Sequence, residues 1–175
     1  AEQTCTRLNN CAHARLLIGG LGMGFTLAAA LRQVGEQAQV LVAEWLPAVV
    51  KWNLGALGEL TGFPLHDSRV LVREVDVARI LKSEQNAFDA ILLDVDNGPE
   101  GLVRKKNDWL YSTDGLNAAY TALLSQGVLA VWSAGPDKNF TQRLRKVGFS
   151  VEELRVHAHG SKGRRHILWF AKRSI

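Results

Sequence analysis

The stretch Leu17-Ile18-Gly19-Gly20-Leu21-Gly22-Met23-Gly24-Phe25-Thr26 decides how this sequence is read. An apolar run that fits a buried strand stops at Gly19, four glycines fall within the six residues Gly19–Gly24, and a helical pattern opens at Phe25. Glycines between a strand and a helix let the backbone turn sharply and approach a ligand with no Cβ in the way. The dinucleotide fingerprint asks for a third small residue three positions after its second glycine. Counted from Gly20 and Gly22, that position holds Phe25, which argues against a nicotinamide dinucleotide. No Lys-Ser/Thr pair follows the turn, which excludes a Walker phosphate loop. A glycine turn by itself is also what tight strand–helix packing would select.

Working outward, β-like runs fall at 15–18, 39–43, 70–73, 88–93, 128–133, 149–157 and 166–171. Helical spacing fills 25–34, 46–60, 77–83 and 113–124 between them, and 138–147 after the fifth strand. Strand–helix alternation predicts a parallel sheet with helices on both faces, because each parallel crossover must return over the sheet. The segment 158–165 is too short for a helix and contains Gly, Ser and Lys, so the last two strands are predicted to form an antiparallel hairpin.

In such a sheet, side chains at the C-terminal ends of the strands face the ligand crevice. Glu44 ends the second strand about 20 residues past the glycine turn, where an acid can grip ribose hydroxyls. Asp76, with Val77 beside it, follows the third strand. It suits a helix N-cap, and also a carboxylate accepting from an adenine amino group; one residue can do both. Asp94 and Asp96 close the fourth strand in Asp94-Val95-Asp96-Asn97-Gly98-Pro99.

Composition is that of one globular domain: 175 residues, 47% hydrophobic and 22% charged. No apolar stretch reaches the roughly 20 residues of a membrane span. The first fourteen residues have no apolar core, so they read as a leader, not a signal peptide, and residues 15–175 as a single domain, with a cytoplasmic location expected. The sequence does not open on Met, which suggests a processed or truncated form. Cys5 and Cys11 read as two incidental thiols, and no histidine stands at metal-ligand spacing from them, so no metal is expected. The net charge of +4 and pI near 9.3 come from 21 basic against 17 acidic residues. Much of that excess sits at 143–146 and 162–165, and a solvated basic surface is preferred to a nucleic-acid contact. The basic segment 157–166 reads as a solvated hairpin tip, with phosphate or nucleic acid as the alternative. Trp132 and Trp169 fall in strands and are expected in the core, and Trp109 stands beside the segment that follows Asp96.

On these residues the chain resembles the spermidine synthase-like group of the S-adenosylmethionine-dependent methyltransferase superfamily. The likeness runs from Leu16 to Val131 through the glycine turn Gly19–Gly24, Val42-Ala43-Glu44, Asp67-Ser68-Arg69-Val70 with Asp76, the Ile91–Pro99 segment, Leu110-Tyr111-Ser112 and Gln126-Gly127-Val128-Leu129-Ala130-Val131. It implies an α/β, Rossmann-like methyltransferase fold: a mostly parallel seven-stranded sheet with a C-terminal antiparallel hairpin. The implied ligand is S-adenosylmethionine or decarboxylated S-adenosylmethionine. Gly19, Gly20, Gly22, Gly24, Glu44, Asp76, Val77 and Asp94 would bind it, with Glu44 on ribose and Asp76 on adenine. Asp94 and Asp96 would be the catalytic pair, Asp96 as base toward an amine. The segment 98–108 would form a lid, the acceptor would be a small molecule, and self-association as a homodimer is expected by analogy.

Three departures separate the chain from polyamine synthases. Gly22 stands where they carry an acid for the amino end of the nucleoside. The second acid of their loop falls between Asp96 and Asn97. Fewer than twenty residues precede the first strand, where they carry a hairpin region that encloses the polyamine. Methyl transfer to a small acceptor, aminopropyl transfer, and a catalytically inactive nucleoside-binding or dimerising protein all remain open at this stage.

Overall fold

In the computed structural model, residues 1–95, 108–133, 137–159 and 162–174 are described. The chain runs α1 (Glu2–Cys5), β1 (Arg15–Gly19), α2 (Phe25–Leu31), β2 (Gln39–Ala43), α3 (Pro47–Leu54), α4 (Ala56–Thr61), a 3₁₀ turn (Pro64–His66) and β3 (Val70–Arg73). It continues through α5 (Val77–Ser83), β4 (Phe88–Leu93), α6 (Asp108–Tyr111), α7 (Thr113–Ala122), β5 (Leu123–Ser133), α8 (Lys138–Val147), β6 (Phe149–His159) and β7 (Lys162–Arg173). The seven strands form one sheet in the order β3-β2-β1-β4-β5-β7-β6. The first five are parallel, while β7 pairs antiparallel with both β5 and β6. The predicted α/β architecture and its closing hairpin are therefore present.

Alternation along the strands builds two cores, because successive side chains in a strand point to opposite faces. Leu17, Ile91, Leu129 and Trp169 pack with Ile80 and Leu81 of α5, Leu116 and Ala119 of α7 and Phe140 of α8. Leu16, Ile18, Val40, Leu92 and Phe170 pack with Leu27, Ala30 and Leu31 of α2 on the other face, joined by Cys5 of the N-terminal segment. Trp169 is fully buried, as expected, and donates through Nε1 to Thr141 Oγ1 at 2.9 Å. Trp132 is half-buried and stacks on His166 with ring centroids 5.0 Å apart. Burial pushes the Cys5 thiol up to about 11, which leaves it protonated and unreactive at neutral pH.

Several boundaries differ from the sequence reading for local reasons. The helix expected over 46–60 breaks at Gly55, which leaves helical geometry at φ −119°, ψ −122° and lets α4 set off in a new direction. The helix expected over 25–34 ends at Leu31, where Gln33 N–H turns back to the Ala30 carbonyl in a tight turn. Strand β5 starts at Leu123, five residues early, and truncates the preceding helix at Ala122. Its pairing with β4 slips between Phe88 and Ala90, and Gln126 takes a positive φ of 64° there, so the slip is a bulge that no alternation pattern shows. The loop expected over 158–165 is shorter than predicted, since β6 runs to His159 and β7 begins at Lys162.

The Asp67-Ser68-Arg69 segment turns out to be a clamp. Asp67 accepts from Arg69 Nε at 2.9 Å and Nη2 at 2.7 Å, while Arg69 Nη1 donates to the carbonyls of Val34 at 2.9 Å and Gly35 at 3.2 Å. It thereby ties the start of β3 to the connection between α2 and β2. The Arg69 guanidinium holds the Asp67 carboxyl below the usual carboxylate range. Because the folded pKa is the lower one, this pair adds stability above the unfolded value near 3.9 and loses it as pH falls through the folded pKa. Asp67→Asn should therefore cost about 1 kcal/mol at pH 7 in a denaturant titration. The difference from the parent should shrink as pH falls through the folded pKa, which lies below the unfolded one; a pH-independent difference would remove the charge from the explanation.

Candidate functional site

Strand order runs outward from β1 in one direction through β2 and β3, and from β4 in the other through β5. The switch point lies between β1 and β4, where open α/β sheets bind ligands beyond the C-terminal strand ends. The glycine turn follows β1 here, and Asp94 follows β4 directly beside it. Gly20 N–H donates to the Ala43 carbonyl at 2.9 Å, and Asp94 N–H to the Gly19 carbonyl at 2.9 Å, so the turn is held from both neighbouring strands. Gly20 has φ +89°, and a Cβ built on it would lie 2.5 Å from the Asp94 carbonyl oxygen. Gly24, also left-handed at φ +82°, caps α2, and a Cβ built on it would lie 2.6 Å from Asn53 Oδ1. A Cβ on Gly19 would touch Val77 Cγ2 at 3.0 Å, which places Val77 under the turn. Gly22 faces open space, with nothing within 4 Å of where its Cβ would be.

Glu44 is 8% exposed and ends β2, the strand beside β1. Its Oε2 accepts from Leu21 N–H at 3.0 Å and its Oε1 from Leu46 N–H at 2.8 Å. The carboxylate thus staples the glycine turn to the end of β2, and each oxygen retains lone-pair capacity for a hydroxyl. Asp76 N-caps α5, its Oδ1 accepting from Ala78 N–H at 2.9 Å, which leaves Oδ2 for a further donor. Asp94 is exposed, and its Oδ2 accepts from Thr26 Oγ1 at 2.7 Å. Asp96 and the expected lid up to residue 107 lie outside the described residues; Asp108 opens α6. Trp109 carries the Lys82 ammonium over its ring at 4.3 Å.

Two site residues escaped the sequence reading. Asn53 on α3 is fully buried and donates from Nδ2 to the Gly22 carbonyl at 2.9 Å and to the Val49 carbonyl at 2.9 Å. A buried amide under a glycine turn is a support for that turn. Its signal was an uncharged polar residue in the run Pro47–Leu54, four positions after Val49. Thr26 is the second, since a threonine in the first turn of a helix gives no hint that it meets an acid from another strand. Met23, Phe25, Trp45 and Leu46 add large exposed apolar side chains in the turn and just beyond Glu44.

These residues form a cradle with carboxylates at the ends of three strands and open backbone at the switch point. The carboxylates of Glu44 and Asp76 keep acceptor capacity beyond the backbone bonds they already make, and Gly22 leaves the turn open beside them.

No family model matches the chain, and no curated protein matches it. Among solved structures, the spermidine synthase of Thermotoga maritima superposes with a TM-score of 0.81 at 21% identity, covering 100% of this chain and 58% of that one. A spermidine synthase in complex with the transition state analogue AdoDATO gives 0.79 at 21% identity, covering 100% and 57%. A SAM-dependent O-methyltransferase of Thermotoga maritima gives 0.65 at 20% identity, covering 98% and 63%. The chain spans less than two thirds of the length of each of these three. Its fold is the spermidine synthase-like fold of the SAM-dependent methyltransferases.

Proposed function

We propose that this chain is the nucleoside-binding core of a transferase that uses S-adenosylmethionine, or its decarboxylated form, and passes an alkyl group to a small-molecule acceptor. The observation that carries this reading is the convergence of Glu44, Asp76, Asp94 and the glycine turn on one sheet edge at the switch point. The likeness to a spermidine synthase bound to a transition state analogue supports it. When bound, a sulfonium supplies an electrophilic carbon whose bond to sulfur breaks with its electron pair leaving to sulfur. In this chain, Glu44 would hold the ribose hydroxyls, Asp76 Oδ2 the adenine amine, and Val77 the floor below the turn. Asp94, oriented by Thr26, would align the acceptor, and Asp96 would take its proton. Most of the acceleration from such a site comes from alignment and exclusion of water.

Methyl transfer is favoured over aminopropyl transfer by the open space at Gly22. A carboxylate there would grip the amino end of a decarboxylated ligand, and losing one charge-assisted contact costs about 1.5–3 kcal/mol. Calorimetry with S-adenosylmethionine and decarboxylated S-adenosylmethionine tests this directly. We expect the first to bind at least as tightly, and spermidine formation from putrescine to be weak or absent. Tight preference for the decarboxylated form, with turnover near one per second abolished by Asp96→Asn, would reverse the assignment. Binding of both with no transfer to any acceptor would leave a nucleoside-binding protein without activity.

A further inference from the structure

Surface helices of a globular domain ordinarily turn polar residues outward. Helices α3 and α4 do not: Ala48, Trp52 and Leu54 of α3 and Leu60 of α4 are exposed, while Val50 and Asn53 face the interior. Among the described residues eight large apolar side chains are exposed, and all but Leu71 fall between Met23 and Leu60. Trp52 is 57% exposed and Leu60 60%. The segments that carry these side chains are packed as one unit. Asn53 bonds α3 to the glycine turn at Gly22, α3 and α4 meet at Gly55, and a Cβ on Gly24 would stand 3.3 Å from Thr61 Oγ1 of α4. With a whole aromatic side chain presenting about 150–250 Å², the exposed fractions leave on the order of 600 Å² of apolar side chain in the open. A monomer rarely shows a contiguous apolar patch larger than a few hundred Å². A typical pairwise interface covers about 800 Å² per partner, a little over half of it apolar, and that apolar share is already present on this face.

We propose that this face is where two copies of the chain associate about a two-fold axis, with Trp52 and Leu60 as its anchors. The proposal stands apart from the transferase reading and holds whatever the site binds. The charges on the face select a second copy as the occupant. α3 carries one charged side chain, Lys51, and α4 carries one, Glu59. Both are exposed, and neither takes part in an ion pair among the described residues. In a two-fold interface each contact is made twice, so Lys51 of each copy meets Glu59 of the other and the face closes with no charge left over. An anionic membrane is the poorer match. Surfaces that lie on lipid set Lys and Arg beside their apolar residues, whereas α3 and α4 together carry no net charge. The basic run 143–146 lies on α8, which packs against β6 at the far end of the sheet from β2 and β3. Tryptophan with leucine beside it is also the kind of anchor that dominates pairwise protein interfaces once water is excluded around it.

The test is sedimentation of the full chain over a concentration series. We expect a closed dimer at about 50 µM that dissociates on dilution, as interfaces of this size allow. Trp52→Glu should raise the dissociation constant about a hundredfold or more, the loss of a central anchor. Lys51→Glu and Glu59→Lys should each weaken the dimer about tenfold or more, because each sets like charges opposite one another. The double variant Lys51→Glu/Glu59→Lys should return to within about threefold of the parent, since the exchange restores both pairs. Should Trp52→Glu fail to fold, Leu60→Glu serves in its place, and in the parent the methyl resonances of Leu54 and Leu60 should shift on dilution. A parent that stays monomeric across the series overturns the proposal. So does a dimer indifferent to Trp52→Glu and Leu60→Glu, or a charge exchange that restores nothing. Growth into open-ended oligomers overturns the two-fold. A monomeric parent that binds vesicles of phosphatidylserine and phosphatidylcholine, and loses that binding in Trp52→Glu, gives the face to a membrane and overturns the second copy.

Discussion

Replacing Gly20 by alanine is expected to reduce nucleoside affinity more than a hundredfold and to lower the melting temperature measurably. Two independent costs meet at this residue. Its φ of +89° is one that a residue with a Cβ rarely adopts, which costs about 1–3 kcal/mol. The added Cβ would also stand 2.5 Å from the carbonyl oxygen of Asp94, an atom of the backbone that no rotamer can move aside. Relief requires the turn and the end of β4 to separate, yet hydrogen bonds at 2.9 Å to Ala43 and from Asp94 hold them together. Overpacking of this sort costs about 1–3 kcal/mol more. Gly22→Ala is the control: it has space on all sides, and only the backbone penalty of φ +52° applies. Its affinity should stay within about tenfold of the parent. Equal losses in the two variants would mean that glycine at Gly20 serves flexibility and not close approach.

The second large effect is expected at Glu44. Glu44→Ala removes the acceptor of two backbone amides, those of Leu21 and Leu46, at a buried position. Each unpaired buried amide costs about 1–3 kcal/mol, reduced where water can enter the space left behind. The variant should therefore lose about 2–4 kcal/mol of stability in a denaturant titration. On the proposed function, nucleoside affinity should fall at least tenfold, through the loss of a group held to the ribose and through the loosened turn. Adenosine and 2′-deoxyadenosine separate those causes. If Glu44 grips the ribose diol, the parent prefers adenosine and Glu44→Ala loses that preference; a preference unchanged by the substitution would limit Glu44 to holding the turn.

Asn53 and Glu44 illustrate why the site was only partly legible beforehand. The acid at the end of β2 could be placed because parallel strands carry ligand groups at their C-terminal ends, and the spacing from the glycine turn is a chain-length constraint. That the same acid staples the turn through Leu21 N–H depends on where two separate strands lie side by side. Asn53 reaches Gly22 across 31 residues of chain, and no local pattern encodes that approach. The same holds for Thr26 and Asp94, 68 residues apart.

The sequence by itself determined the alternation of strands and helices, the hairpin at the end and the set of acids at the strand ends. Those follow from hydrophobic periodicity, connection length and the handedness of crossovers, all local or nearly so. Only the tertiary structure decided the break at Gly55, the bulge at Gln126 and the supports under the glycine turn. Each of these is set by which surfaces meet when the two faces of the sheet are covered, and that is a property of packing between segments distant along the chain.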